Sequence, residues 1–164
     1  MRTIEEVFRY KQHDSYETLE AWQRALLIYA WEALSTAYAP YSRFRVGAAV
    51  QLDHGQIVTG SNQENASSPA GLCAERTALA VAVMTYPNRI IKAIAIRASA
   101  ENELLAQPVA PCGICRQALL EQEQRQNHAI QLLLQGAAGP IAEISSVKDM
   151  LPLYFWRNTG GRKY

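Results

Sequence analysis

The sequence lacks long hydrophobic runs and net charge, and each shortage excludes a class of protein. No stretch reaches the roughly 18 uninterrupted apolar residues that a membrane helix needs, and the most apolar segment, 25–33, is interrupted by Glu32. The net charge is +1, from 16 Lys and Arg against 15 Asp and Glu, so the chain offers no strong positive field to a nucleic-acid backbone. We therefore expect neither a membrane partner nor a nucleic-acid partner.

The sequence also lacks internal repeats, a Gly/Ser-rich linker and a secretory start. Glu5 and Glu6 lie where a signal peptide would have basic residues followed by an apolar run. A length of 164 residues with 49% hydrophobic and 19% charged residues is typical of one globular domain. We expect a single cytoplasmic domain over residues 1–164, with an N-terminal extension over 1–16 and a flexible tail over 157–164.

The spacing of the apolar residues predicts helices that alternate with strands. Helices are predicted from about Ser15 to Ala39, where Pro40 ends the pattern, and over 73–86 and 112–126. The predicted strands are a hairpin over 45–52 and 56–60, two buried strands over 90–96 and 129–134, and an edge strand over 141–144. This order predicts an α/β protein with helices on both faces of a mixed sheet.

Cysteine is rare, and its three copies are informative. An odd number excludes a complete set of intramolecular disulfides, and Cys112 and Cys115 have the CxxC spacing that suits one metal ion. Cys73 begins one predicted helix and the other two cysteines begin another, so the sulfurs can converge between two helix N-termini. The N–H groups at those termini stabilise thiolates, and zinc is the metal that this ligand set suits best.

The number of ligands separates a catalytic zinc site from a structural one. A structural site has four protein ligands, whereas a catalytic site has three and leaves the fourth position to water. His13, His54 and His128 lie in a polar arm, a turn and a helix-to-strand junction, and none has ligand spacing to another candidate. The pattern favours a catalytic site. A closed structural site and a redox CxxC are the alternatives, and the redox interpretation gives Cys73 no purpose.

Glu75 follows Cys73 by two residues, in the first turn of the predicted helix. A carboxylate beside a zinc-bound water can take its proton and pass it on, whereas an ordinary first-turn glutamate faces solvent and interacts with the helix dipole. The downstream segment 111–115, Pro-Cys-Gly-Ile-Cys, favours the catalytic interpretation. A zinc ligand, one residue, Glu, and then Pro-Cys-x-x-Cys is the signature of zinc deaminases.

Two segments, 73–79 and 111–117, resemble the zinc motifs of the small cytidine deaminases that act on free nucleosides. Segment 41–49, Tyr-Ser-Arg-Phe-Arg-Val-Gly-Ala-Ala, resembles that family's segment before its first strand, and 62–66, Asn-Gln-Glu-Asn-Ala, resembles its ribose-binding stretch. The matches follow the family's order along most of the chain. The resemblance implies a three-layer α/β/α fold with a mixed five-stranded sheet, usually assembled as a homotetramer.

The same resemblance implies the roles of individual residues. One zinc ion per subunit is held by Cys73, Cys112 and Cys115, and Glu75 shuttles protons. The substrate-binding residues implied are Phe44 against the pyrimidine, Asn62 and Glu64 at the sugar hydroxyls, the backbone of Ala74 at the polar edge of the base, and Phe155 across a subunit interface. Arg76 is expected to donate hydrogen bonds to the sulfurs. As alternatives, Phe44 belongs to the core, Asn62 and Glu64 are turn residues, and Arg76 forms an exposed salt bridge.

The expected activity is hydrolytic deamination of cytidine and deoxycytidine to uridine and deoxyuridine with release of ammonia, a step of pyrimidine salvage. Two positions depart from the family pattern. Ser68 lies where many relatives have an aromatic residue before the proline, and segment 151–155, Leu-Pro-Leu-Tyr-Phe, replaces the common Leu-Pro-Gly-Ala-Phe. The alternatives are therefore a deaminase of a modified cytidine or another aminated nucleoside, and a non-catalytic zinc-stabilised nucleoside-binding module.

Overall fold

A computed structural model describes residues 1–155, so the predicted tail over 157–164 lies outside the described residues. The strands and helices in chain order are β1 (Lys11–His13), α1 (Ala21–Glu32), β2 (Phe44–Leu52), β3 (Ile57–Ser61), α2 (Ala74–Thr85), β4 (Ile91–Ala100), α3 (Gly113–Gln126), β5 (Gln131–Gln135) and β6 (Ile141–Ile144). Short 3-10 turns cover Tyr16–Thr18, Ala33–Thr36, Ser68–Ala70 and Val147–Met150. No helix within residues 1–155 is long and apolar enough to cross a bilayer.

The strands form one mixed sheet in the order β1-β6-β5-β4-β2-β3. Only β4 and β5 run parallel, and every other neighbouring pair is antiparallel. Helix α1 covers one face, where Leu26 and Leu27 are fully buried against the sheet. Helices α2 and α3 cover the other face, with Leu119 and Leu120 inward as predicted. The three-layer α/β/α architecture is confirmed.

The sheet has six strands, one more than predicted, because part of the N-terminal extension pairs with β6. Lys11 Nζ donates to Glu143 Oε1 at 2.8 Å, and His13 Nε2 lies 2.8 Å from Glu143 Oε2. Burial alone would raise the pKa of Glu143, but the hydrogen bonds from Lys11, His13 and Gln23 lower it below its usual value. Strand β6 is therefore an interior strand, and its prediction as an edge strand is wrong.

Helix α1 ends earlier than predicted. Its α-helical hydrogen bonding stops at Glu32, and a 3-10 turn follows over Ala33–Thr36. Ser35 Oγ donates to the Glu32 carbonyl at 2.8 Å, and Thr36 Oγ1 donates to the Ala33 carbonyl at 3.0 Å. Such side-chain bonds compete with helical ones, so the chain leaves the helix before Pro40 and crosses toward the end of β3.

Helix α2 lies directly on β3 at Gly60. A Cβ atom at Gly60 would lie 2.5 Å from the Ala78 nitrogen and 2.8 Å from the Ala74 carbonyl oxygen. Any larger residue would push the helix away, since real Cβ atoms do not approach backbone that closely. The glycine therefore allows the first turn of α2 to rest on the strand, which fixes the height of Cys73 above the sheet.

Candidate active site

Two helices of the same layer begin with a cysteine. Cys73 is the N-cap of α2 and Cys112 is the N-cap of α3, both with extended backbone and neither with a side-chain capping bond. Cys115 lies in the first turn of α3 and is completely buried. Both N-cap thiols are therefore free to face the space between the two helix starts.

The three sulfurs form one cluster. All lie within 4.8 Å of one another, and the sulfurs of Cys112 and Cys115 are 3.6 Å apart. A tetrahedral zinc ion with Zn–S bonds of about 2.3 Å would separate its sulfur ligands by about 3.8 Å, so the cluster fits one zinc ion. No histidine joins it in the part of the chain that the structure describes.

The three thiols differ in acidity although they are close together. Burial would raise the pKa of Cys112, but the backbone N–H groups of Cys115 and Ile114, with the Cys115 side chain, outweigh it and lower that pKa. Burial raises the pKa of Cys73 and of Cys115, and the negative charge of Glu75 adds to both shifts. The hydrogen bonds at the start of α3 thus favour the thiolate form of Cys112.

Glu75 lies beside this cluster, where its side chain interacts with the Cys115 thiol. It is the second residue of α2, and only 5% of its surface is exposed. Burial raises its pKa above the usual value, although a hydrogen bond with Cys115 opposes the shift. A raised pKa makes the protonated form of the carboxyl group more accessible, which suits a group that takes and returns a proton.

An open cavity of about 950 Å³ lies in front of Cys73, Cys112 and Glu75. It is near the upper end of the roughly 300–1,000 Å³ that small-molecule sites occupy. The structure brings most of the predicted site residues to its wall: Phe44, Asn62, Glu64, Cys73, Ala74, Glu75, Arg76 and Cys112. Residues from β2, the loop after β3 and the starts of both helices therefore share one cavity.

Asn62 is committed to the wall of this cavity. Its side-chain oxygen accepts from the Val46 nitrogen at 2.8 Å, and its side-chain nitrogen donates to the Phe44 carbonyl at 2.9 Å. These two bonds extend the β2–β3 pairing and fix the backbone at Phe44. An amide has two N–H groups, so one N–H of Asn62 is still available to a ligand.

Glu64 holds the segment of the same wall that lies just before β2. Its Oε2 accepts from the backbone nitrogens of Tyr41 at 2.9 Å and Ser42 at 3.3 Å. Hydrogen bonds from Ser42 and Tyr41 keep the pKa of Glu64 below its usual value. The carboxylate is therefore ionised at neutral pH, and its second oxygen is available to a hydroxyl group.

Two of the predicted residues are placed differently. Arg76 is half-buried on the cavity wall but makes no hydrogen bond to a sulfur within residues 1–155. The side chain of Phe155 is 75% exposed and lies outside the cavity of its own chain. The backbone carbonyl of Phe155 accepts from Gln117 Nε2 at 3.5 Å, which places it near α3.

Sequence reasoning missed the apolar part of the cavity wall. Val46 and Ile96 come from the middle of the sheet, and Val109 and Ala110 come from the loop before α3. In the sequence, Val46 and Ile96 looked like ordinary strand residues. The only signal for Val109 and Ala110 was their place directly before Pro111, at the start of the second cysteine motif.

The chain has clear relatives among known proteins. The family model for the cytidine and deoxycytidylate deaminase zinc-binding region matches residues 20–130. A cytidine deaminase of Halalkalibacterium halodurans is 39% identical over 130 residues, which are 79% of this chain and 91% of the relative. A cytidine deaminase of Sporosarcina psychrophila is 40% identical over 121 residues, 74% of this chain and 82% of the relative.

Solved structures agree with the sequence relatives. The crystal structure of cytidine deaminase from Burkholderia pseudomallei superposes with a TM-score of 0.69 and 36% identity, covering 80% of this chain and 98% of that one. Cytidine deaminase from Mycobacterium tuberculosis superposes with a TM-score of 0.62 and 33% identity, covering 82% and 97%. The chain therefore belongs to the cytidine and deoxycytidylate deaminase family, whose matching region is zinc-binding, and its three-sulfur cluster fits one zinc ion.

Proposed function

We propose that this chain is a zinc-dependent hydrolase that converts cytidine and deoxycytidine to uridine and deoxyuridine. Water adds at C4 of the cytosine ring, the C4–N4 bond breaks, and the amino group leaves as ammonia, so no other reactant is needed. The observation that carries the proposal is a buried carboxyl group, Glu75, beside a cluster of three cysteine sulfurs at an open cavity that Glu75, Cys73 and Cys112 line. The family of the chain supports the same reaction.

The metal centre takes one zinc ion per subunit. Cys73, Cys112 and Cys115 would hold it, and their spacing fits sulfur ligands of a tetrahedral ion. When bound at an open site, zinc lowers the pKa of coordinated water, although three thiolate ligands make that water less acidic than three histidines would. The protein supplies the other half of this chemistry, which is a group that accepts the proton and returns it.

Glu75 is that group. It takes a proton from the attacking water and delivers it to N3 of the ring, which makes C4 more electrophilic. A second proton transfer through Glu75 reaches the amino group, so that the leaving group is neutral ammonia. Its burial suits this cycle, because burial raises the pKa of Glu75 and so favours acceptance of the proton.

The rest of the cavity binds and orients the nucleoside. Phe44 packs against the pyrimidine, and the backbone at Ala74 orients the polar edge of the base. The free N–H of Asn62 and the free oxygen of Glu64 hydrogen bond with the sugar hydroxyls. In support, all four residues line the same cavity as Glu75, and Asn62 and Glu64 each keep one unused hydrogen-bonding group.

The direct test is ammonia release by purified, zinc-loaded protein incubated with cytidine and deoxycytidine in parallel. Glu75→Ala is the catalytic control, and Glu121→Ala, an exposed glutamate of α3, is the matched control. We expect release with wild type and Glu121→Ala and none above background with Glu75→Ala. If wild-type protein that is confirmed to carry zinc released no ammonia from either nucleoside, the proposed substrates would be contradicted.

A second candidate, deamination of a modified cytidine, is favoured by one observation. The cavity wall includes small residues, Ala66, Ser68 and Ala110, and Ser68 is the position where the family pattern has an aromatic side chain. A panel of base- and sugar-modified cytidines tests this candidate with the same ammonia assay. Activity with cytidine that exceeds activity with every modified nucleoside would exclude it.

The assembly and the cellular setting complete the proposal. We place the chain, as one cytidine-deaminase-like domain, in a cytoplasmic homotetramer that works in pyrimidine salvage. In support of assembly, apolar side chains of α2 and α3 are exposed, among them Val81, Met84 and Ile114. In support of a reducing compartment, the site needs three free thiols. Light scattering coupled to size-exclusion chromatography tests the tetramer, and a monomer at micromolar concentration would contradict it.

A further inference from the structure

Arg116 holds the backbone on both sides of Cys112. Its own backbone nitrogen donates to the Cys112 carbonyl at 2.9 Å, as the first hydrogen bond of α3. Its Nε donates to the Pro111 carbonyl at 2.8 Å. The Pro111 carbonyl belongs to the peptide unit before the Cys112 Cα and the Cys112 carbonyl to the unit after it. One residue therefore restrains both backbone dihedrals of Cys112.

The guanidinium of Arg116 is itself held from the other side. Its Nη1 donates to the Met150 carbonyl at 3.1 Å, at the end of the 3-10 turn Val147–Met150. That turn is anchored to α3 by the buried Glu123, whose carboxylate accepts from Val147 N at 3.0 Å and Ser146 Oγ at 2.6 Å. Arg116 is thus fixed between two backbone segments, and it can transmit rigidity to Pro111.

Cys112 is the sulfur that most needs such support. Cys115 is completely buried and Cys73 is partly buried, so packing holds both side chains, whereas Cys112 is exposed. An exposed side chain keeps more conformational freedom, and ordering it costs free energy when a metal binds. Backbone restraint at Cys112 reduces that cost.

We propose that Arg116 is a positioning residue for the metal centre, which orders Cys112 through the Pro111 and Cys112 carbonyls before the ion binds. The inference rests on the proposed function, since it assumes that the three cysteines hold zinc. It assigns Arg116 no contact with substrate. Its side chain acts through the backbone. Its Nε and Nη1 connect the 3-10 turn Val147–Met150, called the C-terminal turn below, to the residue before Cys112.

Geometry, and not only charge, makes arginine suitable at this place. The guanidinium donates from Nε to Pro111 and from Nη1 to Met150 at the same time. A lysine has one nitrogen at the end of a flexible stem and cannot reproduce this planar fork. Arg116→Lys therefore keeps the positive charge but removes the simultaneous bonds to Pro111 and Met150. Arg116→Met removes the charge as well as the bonds.

The test measures zinc affinity by competition with a chromophoric chelator, on the full chain. We expect Arg116→Met and Arg116→Lys each to raise the zinc Kd about tenfold or more, the range seen when outer partners of metal ligands are removed. Arg125→Met changes an exposed arginine of the same helix and serves as the matched control. It should stay within about twofold of wild type.

Two further measurements separate positioning from loss of stability. Ser146→Ala loosens the C-terminal turn without touching Arg116, because it removes the Ser146 bonds to Glu123 and Lys148. We expect a smaller change in zinc Kd than in the Arg116 variants. Cobalt(II) substitution should show altered ligand-field and sulfur-to-metal bands in Arg116→Met, and the wild-type spectrum in Ser146→Ala.

Each contrary outcome has a distinct meaning. A zinc Kd of Arg116→Met within twofold of wild type would overturn the inference, as would an equal loss in Ser146→Ala. Full rescue by Arg116→Lys would also overturn it, since charge alone would then suffice. A wild-type protein that binds no zinc would overturn the proposed function as well, so the two failures are distinguishable.

Discussion

The starts of α2 and α3 follow the same plan and differ in what surrounds them. Each has a cysteine at the N-cap, and each has a residue four positions later whose backbone nitrogen donates to that cysteine's carbonyl. At α2 this residue is Thr77, whose Oγ1 donates to the same Cys73 carbonyl at 3.1 Å and reaches no further along the chain. At α3 it is Arg116, which also holds Pro111 and Met150.

The difference indicates a division of labour within one metal centre. The start of α2 is packed directly on β3, where it buries Glu75 and half-buries Cys73. The start of α3 supplies two sulfurs, one of them exposed, and is held by side-chain bonds to neighbouring loops. Close packing thus supports Glu75, the proposed proton-transfer group, while hydrogen bonds support Cys112, the most exposed of the three proposed ligands.

The largest effect should follow a change at α2 that leaves α3 unaltered. Glu75→Gln keeps the shape of the side chain but removes its ability to take a proton, so turnover should fall by about 10²- to 10⁴-fold. Zinc content, measured by metal analysis, should match that of the wild type. Turnover within tenfold of wild type would remove Glu75 from proton transfer and break the proposed division of labour.

Gly60→Ala tests whether α2 depends on close packing. The new Cβ would lie 2.5 Å from the Ala78 nitrogen, against rigid backbone. We expect a loss of about 1–3 kcal/mol in the free energy of unfolding, measured by urea denaturation, with weaker zinc binding in the same variant. Wild-type stability would show that the helix can move away from the sheet without cost.

Asn62→Ala tests the wall that faces both helix starts. Loss of its bonds to Val46 and Phe44 should lower kcat/KM for cytidine about tenfold, the size of one such interaction. We expect part of this loss to disappear with 2′,3′-dideoxycytidine, which lacks the sugar hydroxyls that the free N–H of Asn62 is proposed to bind, and the rest to persist because the wall bonds do not involve them. A loss confined to cytidine would assign Asn62 to the sugar alone.

Thr77→Val is the counterpart at α2 of the Arg116 variants. It removes the Oγ1 bond to the Cys73 carbonyl, yet the backbone bond from Thr77 to the same carbonyl is retained. Zinc affinity, from the same chelator competition, should fall no more than about threefold, since one redundant neutral hydrogen bond contributes little. A tenfold loss would make the two helix starts equivalent in this respect.

Gly113→Ala should have the smallest effect. Gly113 is the first residue of α3, and a Cβ there meets nothing within 4 Å. Because alanine is a better helix former than glycine, stability should stay within about 0.5 kcal/mol of wild type or rise slightly. A loss similar to that of Gly60→Ala would show that both helix starts are closely packed.

The metal centre was accessible to sequence reasoning because its signals are local. Cys73 and Cys112 each precede a helical pattern, and helix geometry places Cys115 on the same turn as Cys112. The same holds for Glu75, two residues from its cysteine. The sixth strand was not accessible, because Lys11–His13 is short and polar, and its partner Glu143 lies about 130 residues away.

The early end of α1 and the position of Phe44 depend on hydrogen bonds and packing that the pattern of apolar residues does not encode. The pattern from Leu19 to Leu34 predicts a helix to Ala39, but it contains no sign that Ser35 and Thr36 would bond backward and end it. Similarly, Phe44 reads equally well as core or as site in the sequence, and the structure places it on the cavity wall. Long-range hydrogen bonds of single side chains are what periodicity does not reveal.

The separation of the cysteines along the chain makes the metal a crosslink. Cys73 and Cys112 are roughly 40 residues apart, and the central strand β4 lies in the segment between them. Closing a loop of about 40 residues with a covalent bond stabilises a fold by about 4 kcal/mol in the chain-entropy description. An ion bound by both cysteines would restrict the unfolded chain in the same way as a disulfide, in a protein whose cysteines form none.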